Sequence, residues 1–180
     1  MPDEDRPPPP ALADFVRALG EVGDALDLGC GDGRLTTELR ARRVTALDVS
    51  AIALERARRR VPGAAFVEVD PGAALPLSDN SFDLALCAET LEHVQDVSLA
   101  LSELRRVLRP GGLLAVTTPA HGRSSGLAIL LRGFERQFDP LSPHLRFFSA
   151  RSLAATLDEH GFEVESIRRR AGTLLALARR

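Results

Sequence analysis

The chain reads as an α/β domain: a seven-stranded, mostly parallel sheet with helices on both faces and a terminal antiparallel strand pair. Three observations lead there. Short apolar runs alternate with helical stretches along most of the 180 residues, the pattern of a parallel sheet with right-handed crossovers. Runs such as Leu84-Ala85-Leu86 and Leu113-Leu114-Ala115-Val116 are continuous, as strands buried on both faces are. The last two apolar runs are separated only by Ala171-Gly172, too short for a helical crossover, so they must pair antiparallel.

The elements follow in order. Met1 to Pro10, with four consecutive prolines, is expected to be a disordered or extended leader to a domain spanning 11–180. Ala11 to Leu19 carries Leu12, Phe15, Val16 and Leu19 on one helical face, and Gly20 stops it. Strand one is Ala25 to Leu28, and Leu35 and Leu39 predict a helix from Gly33 to Arg40. Strand two is Val44 to Val49. Ser50 caps a helix through Arg60 that Val61-Pro62-Gly63 ends. Strands three and four are Ala65 to Val69 and Phe82 to Cys87. A helix from Val97 to Leu108 shows apolar residues at helical spacing, and Arg109-Pro110-Gly111-Gly112 breaks it before strand five, Leu113 to Thr118. Ser149 caps a last helix to His160, and Phe162 to Arg168 and Thr173 to Ala178 are the final strands. Residues 120–148 are the one long connection without strand character, which predicts a lid over a site. Its leucines, phenylalanines and arginines (Arg123, Arg132, Arg136, Arg146) suit a small, acidic or phosphorylated acceptor.

Composition removes several function classes. A formal charge of −2 argues against a general nucleic-acid binder, and the arginine runs at Arg56 to Arg60 and Arg168 to Arg170 read as solvated helix and strand surface. All 23 basic residues are arginine, so no lysine can form a Schiff base or the phosphate contact of a P-loop. Two cysteines are too few for a disulfide framework or a closed zinc site, and no metal is expected. No apolar run is long enough for a bilayer, and the first residues are acidic where a signal peptide is basic, so membrane insertion is not expected and a cytoplasmic location is.

The chemistry concentrates at Asp27-Leu28-Gly29-Cys30-Gly31-Asp32-Gly33. Alternate glycines let the backbone turn tightly and approach a ligand, and a strand–turn–helix at the end of a parallel strand is a nucleotide-type site. Gly33 is placed for close helix–strand packing. Asp48, closing the adjacent strand beside Val49, can accept hydrogen bonds from both hydroxyls of a ribose. Cys30 and Cys87, ending neighbouring strands, are expected on the pocket floor as small apolar groups. A nicotinamide-dependent dehydrogenase is disfavoured, since Arg34 stands where that turn has another glycine.

The same stretch resembles the first motif of class I S-adenosylmethionine-dependent methyltransferases. Later landmarks agree: Asp48, Asp70, Leu75-Pro76-Leu77 before Ser81-Phe82-Asp83, Glu89-Thr90-Leu91-Glu92-His93-Val94, and Leu108-Arg109-Pro110-Gly111-Gly112. The likeness runs from about Leu12 to the end. It is nearest to the small type-11-like subgroup related to quinone-biosynthesis enzymes. It implies a Rossmann-like sheet, S-adenosylmethionine as cofactor, S-adenosylhomocysteine as product, and a small-molecule methyl acceptor. By the same resemblance Asp70 and Pro71 meet the adenine, Asp27 the amino group of the methionine part, and Ala88 and Glu89 the cofactor after strand four. The stretch from Asp70 to Pro76 is one residue longer than the family pattern. Lysine and tyrosine are absent, which leaves histidines as candidate bases for an oxygen acceptor: His93, His121 and His144, the last opening a segment that in the family helps form the acceptor pocket. His160 reads as a helix C-cap. Other readings are a non-catalytic S-adenosylmethionine-binding module and a methyltransferase acting on a macromolecule.

Overall fold

The computed structural model describes residues 6–121 and 145–180. Strands β1 (Glu21–Leu28), β2 (Arg40–Asp48), β3 (Ala65–Glu68), β4 (Phe82–Ala88), β5 (Leu108–Pro119), β6 (Glu163–Arg170) and β7 (Thr173–Arg179) form one sheet in the order β3-β2-β1-β4-β5-β7-β6. β1 to β5 pair in parallel, and β7 runs antiparallel to both β5 and β6. The chain winds outward from β1 to β3, then crosses back to β4 beside β1. That reversal opens a crevice beyond the carboxyl ends of β1 and β4, where open parallel sheets bind ligands.

Among the described residues four helices cover the sheet: α1 (Pro10–Arg17), α2 (Ala51–Arg60), α3 (Val97–Val107) and α4 (Ala150–Glu159). Successive side chains of a strand alternate faces. Ala25, Leu84, Leu86 and Ala115 therefore meet Val16 of α1, and Ala46 meets Leu54 of α2. Leu26, Ala85, Leu114 and Val116 turn the other way onto Leu101 and Leu104 of α3 and Leu153 and Leu157 of α4. Ser50 and Ser149 cap α2 and α4, accepting from Ala53 N–H (3.2 Å) and Ser152 N–H (3.1 Å). His160 caps the end of α4, its Nδ1 lying 2.7 Å from the Thr156 carbonyl.

The helix expected from Gly33 to Arg40 is absent; only a 3-10 turn, Thr36–Glu38, remains. Length is the reason. β1 begins at Glu21 and β2 at Arg40, earlier than expected, so the connection must retrace about 25 Å of strand with residues 29–39, and eight helical residues would cover only about 12 Å. The Arg109–Gly112 breaker is likewise a bulge inside β5: Phe82 aligns with Leu108 but Leu84 with Leu113. The base of the sheet, opposite the crevice, is pinned by charge. Arg43 and Arg109 grip Asp24 at 2.5 and 3.0 Å, and their hydrogen bonds hold its carboxyl down at about 2. Among the described residues no helix is long and apolar enough to cross a membrane.

Candidate functional site

The glycine turn is built by its neighbours. The N–H groups of Gly29 and Cys30 both donate to the Leu47 carbonyl of β2, at 2.8 and 3.0 Å. Gly29 has φ +76°, and a methyl group there would sit 2.3 Å from Thr90 Oγ1. Only glycine fits. Thr90 itself is locked over the turn by donating to the Ala88 carbonyl at 2.9 Å. Gly33 packs closely against Ala57 of α2, a turn-to-helix contact in place of the helix–strand packing expected from sequence.

Asp48 does two jobs at once. Its Oδ2 accepts from Gly31 N–H at 2.7 Å and its Oδ1 from Ser50 N–H at 2.9 Å, tying the turn to the start of α2. Each carboxylate oxygen keeps a second acceptor site, so a ribose diol can still be bound. Asp32, in the same turn, is held by Arg34 (3.0 Å) and Arg60 (2.9 Å), so Arg60 is a brace of the turn rather than plain surface.

Asp27 is buried in the crevice floor and accepts from the Thr36 hydroxyl at 2.6 Å. Burial raises its carboxyl from 3.8 to about 6; the Thr36 hydrogen bond opposes the rise and nearby Asp48 adds to it. A carboxyl whose pKa rises on folding keeps a proton between about pH 4 and 6 that the unfolded chain has lost. Folding stability therefore falls as pH rises through that window and is level above it. At neutral pH the charged form costs about 3 kcal/mol. Asp27→Asn is accordingly expected to melt roughly 6–12 °C above the parent at pH 7.5 without ligand, the gap narrowing towards pH 5. Thermal melts across that range decide it: a gap that does not change with pH would rule out the linkage.

Two connected cavities flank the turn. The wider, about 910 Å³, is lined by Asp27, Cys30 and Ala88 and faced by residues 6–10. The narrower, about 530 Å³, is lined by Asp48, Val49, Asp70 and Pro71. Gly29, Gly31 and Glu89 line both. Every residue anticipated from sequence as a cofactor contact thus lines one cavity or the other. Glu89 occupies the left-handed region (φ +49°), held there by its N–H donating to the Thr117 carbonyl (2.9 Å) and its carboxylate accepting from the Thr117 hydroxyl (2.8 Å). Strain of that kind clusters at functional sites.

Of the candidate bases, His93 and His121 lie among the described residues. His93 lines the narrower cavity, on the side of Asp70. His121 follows β5, with its ring edge-on to Phe147 at 4.7 Å, and lines neither cavity. His144 lies outside the described residues, as do Arg123, Arg132 and Arg136 of the expected lid. Arg146 is visible and donates to the carbonyls of Val94 and Gln95, fixing the loop after β4. Of the cysteines only Cys30 lines the crevice; Cys87 is sealed in the core. Burial pushes both thiols far above their ordinary range, so neither is a thiolate. Glu92 is also buried, and among the described residues no group meets either carboxyl oxygen at good hydrogen-bond geometry; burial pushes its pKa up, opposed by its own backbone, His93 and Thr118.

Sequence reasoning missed Thr36, Thr90 and Thr117, the three hydroxyls that lock Asp27, Gly29 and Glu89. No spacing rule joins residues 28 or 62 positions apart, as in Thr117–Glu89 and Thr90–Leu28.

Residues 26–116 match the model of a family described as "Methyltransferase domain". The chain is 36% identical over 153 residues to a probable S-adenosylmethionine-dependent methyltransferase of Mycolicibacterium smegmatis, covering 79% of this chain and 52% of that one. It is 42% identical over 115 residues to a malonyl-[acyl-carrier protein] O-methyltransferase of Pseudescherichia vulneris, covering 61% of this chain and 45% of the other. The chain thus spans about half the length of these curated relatives. A crystal structure of a putative methyltransferase from Bacillus halodurans superposes with a TM-score of 0.77 at 19% identity, covering 93% of this chain and 97% of that one, a likeness of fold.

Proposed function

This chain belongs to the class I S-adenosylmethionine-dependent methyltransferases, and on that premise we propose that it transfers a methyl group from S-adenosylmethionine to an oxygen, nitrogen or carbon nucleophile of a small molecule. The observation that carries the reading is the fit of the crevice to a sulfonium nucleoside. The narrower cavity offers Asp48 for the ribose hydroxyls and Val49, Asp70 and Pro71 around the base. Gly29 and Gly31 line both cavities and carry no side chain to keep a ligand off their backbone. Asp27 lies in the wider cavity, where an ammonium group would favour its ionised form, whose charge is otherwise uncompensated.

When bound, the cofactor supplies an already activated methyl group on a positively charged sulfur. What the chain must add is alignment and exclusion of water, and orientation is worth about 7–11 kcal/mol of a barrier when the geometry is right. Gly29, Gly31 and Glu89 line both cavities, and in this reading they hold the junction between the nucleoside and amino-acid ends. A small acceptor is in keeping with the formal net charge of −2 and with a relative named for methylating a malonyl group on acyl-carrier protein. Calorimetric titration with S-adenosylhomocysteine should give one site per chain. A flat titration would remove both catalysis and a non-catalytic binding role.

A further inference from the structure

The wider cavity holds more space than the amino-acid end of a methyl donor needs, and two of its walls are distinctive. One is the strap of residues 6–10, which lines the cavity together with the glycine turn. Pro7 to Pro10 have fixed φ and no N–H, so they present pyrrolidine rings as a pre-ordered apolar wall. The strap is fastened at one end: the Pro9 carbonyl accepts from the N–H groups of Leu12 and Ala13, both at 3.0 Å, and α1 buries Leu12, Ala13 and Val16. Leu12 and Leu35 extend the apolar lining.

The other feature is charge. Arg6, Arg34 and Arg56 line this cavity. Of its carboxylates, Asp32 is ion-paired to Arg34 and Arg60, while Asp27 and Glu89 accept only from the neutral hydroxyls of Thr36 and Thr117. Arg6 directly precedes the prolines in the chain, and Arg56 belongs to α2.

Resting on the methyl-donor reading above, we infer that the wider cavity takes an acceptor with a flat apolar body and a negatively charged group, the body packed on the proline strap and the charge met by Arg6. The strap is then part of the binding site and sets its specificity.

The test uses the full chain saturated with S-adenosylhomocysteine, whose binding is first measured by calorimetry. The probes are 8-anilinonaphthalene-1-sulfonate and its uncharged analogue N-phenyl-1-naphthylamine, followed by fluorescence. The sulfonate is expected to bind about tenfold more tightly than the neutral dye, the worth of one hydrogen bond to a charged group. Arg6→Gln should erase that preference and leave the neutral dye unaffected. The double variant Pro7→Gly/Pro8→Gly, which keeps the Pro9 anchor, should weaken both dyes. Affinity for S-adenosylhomocysteine should stay within about twofold throughout. Equal sulfonate affinity in parent and Arg6→Gln, or no sulfonate binding at all, overturns the inference while leaving the methyl-donor reading intact. Failure to bind S-adenosylhomocysteine before any dye is added strikes that reading itself.

Discussion

Asp48→Ala is expected to weaken S-adenosylhomocysteine binding by about 100-fold or more. Hydrogen bonds to a charged group contribute about 1.5–3 kcal/mol each, and a ribose diol makes two, so about 3 kcal/mol is a lower figure for the loss. The structure adds a second loss. Asp48 also receives Gly31 N–H and Ser50 N–H, so its removal loosens the turn that the rest of the ligand must meet. Asp48→Asn separates the two contributions: its single carbonyl oxygen can keep one backbone bond, while the amide nitrogen cannot accept. The asparagine variant should therefore melt closer to the parent than alanine does, yet still bind poorly. Calorimetry with thermal melts on the three proteins checks this. An alanine variant within threefold of the parent in affinity would remove Asp48 from the ribose.

Gly29→Ala should be the most damaging single methyl in the chain. The left-handed backbone costs an L-residue about 1–2 kcal/mol, and overpacking against Thr90 adds about 1–3 kcal/mol. The melting temperature should drop by roughly 4–20 °C. Affinity should fall as well, since Gly29 lines both cavities. Gly20→Ala is the control: φ there is +82°, but nothing lies within 4 Å of the added carbon and the position is outside the crevice. It isolates the backbone penalty. If Gly29→Ala melts no lower than Gly20→Ala, the contact with Thr90 is not what reserves the position for glycine.

Much of the site was legible because it is local in sequence. The glycine turn, the acid before it and the acids at or beyond the strand ends follow from short-range rules of backbone geometry and alternation, and they line the crevice as those rules imply. The errors also have physical causes. Leu35 and Leu39 have helical spacing, but the return path from β1 to β2 is too long for a helix of that length, and chain reach overrode periodicity. Arg109 to Gly112 carry breaker residues, yet pairing with β4 and the C-terminal strand absorbs them as a bulge.

The sequence by itself determined the strand order's raw material, the parallel core, the antiparallel finish and which backbone stretch turns at the mouth of the crevice, because each depends on neighbours a few residues apart. Only the tertiary structure decided which hydroxyl steadies which carboxylate, that Cys87 is sealed away while Cys30 meets the crevice, and that the proline-rich residues 6–10 line the wider cavity. Those outcomes depend on groups distant in the chain meeting across a sheet, and burial, hydrogen bonding and charge act through distance in space, which residue spacing does not encode.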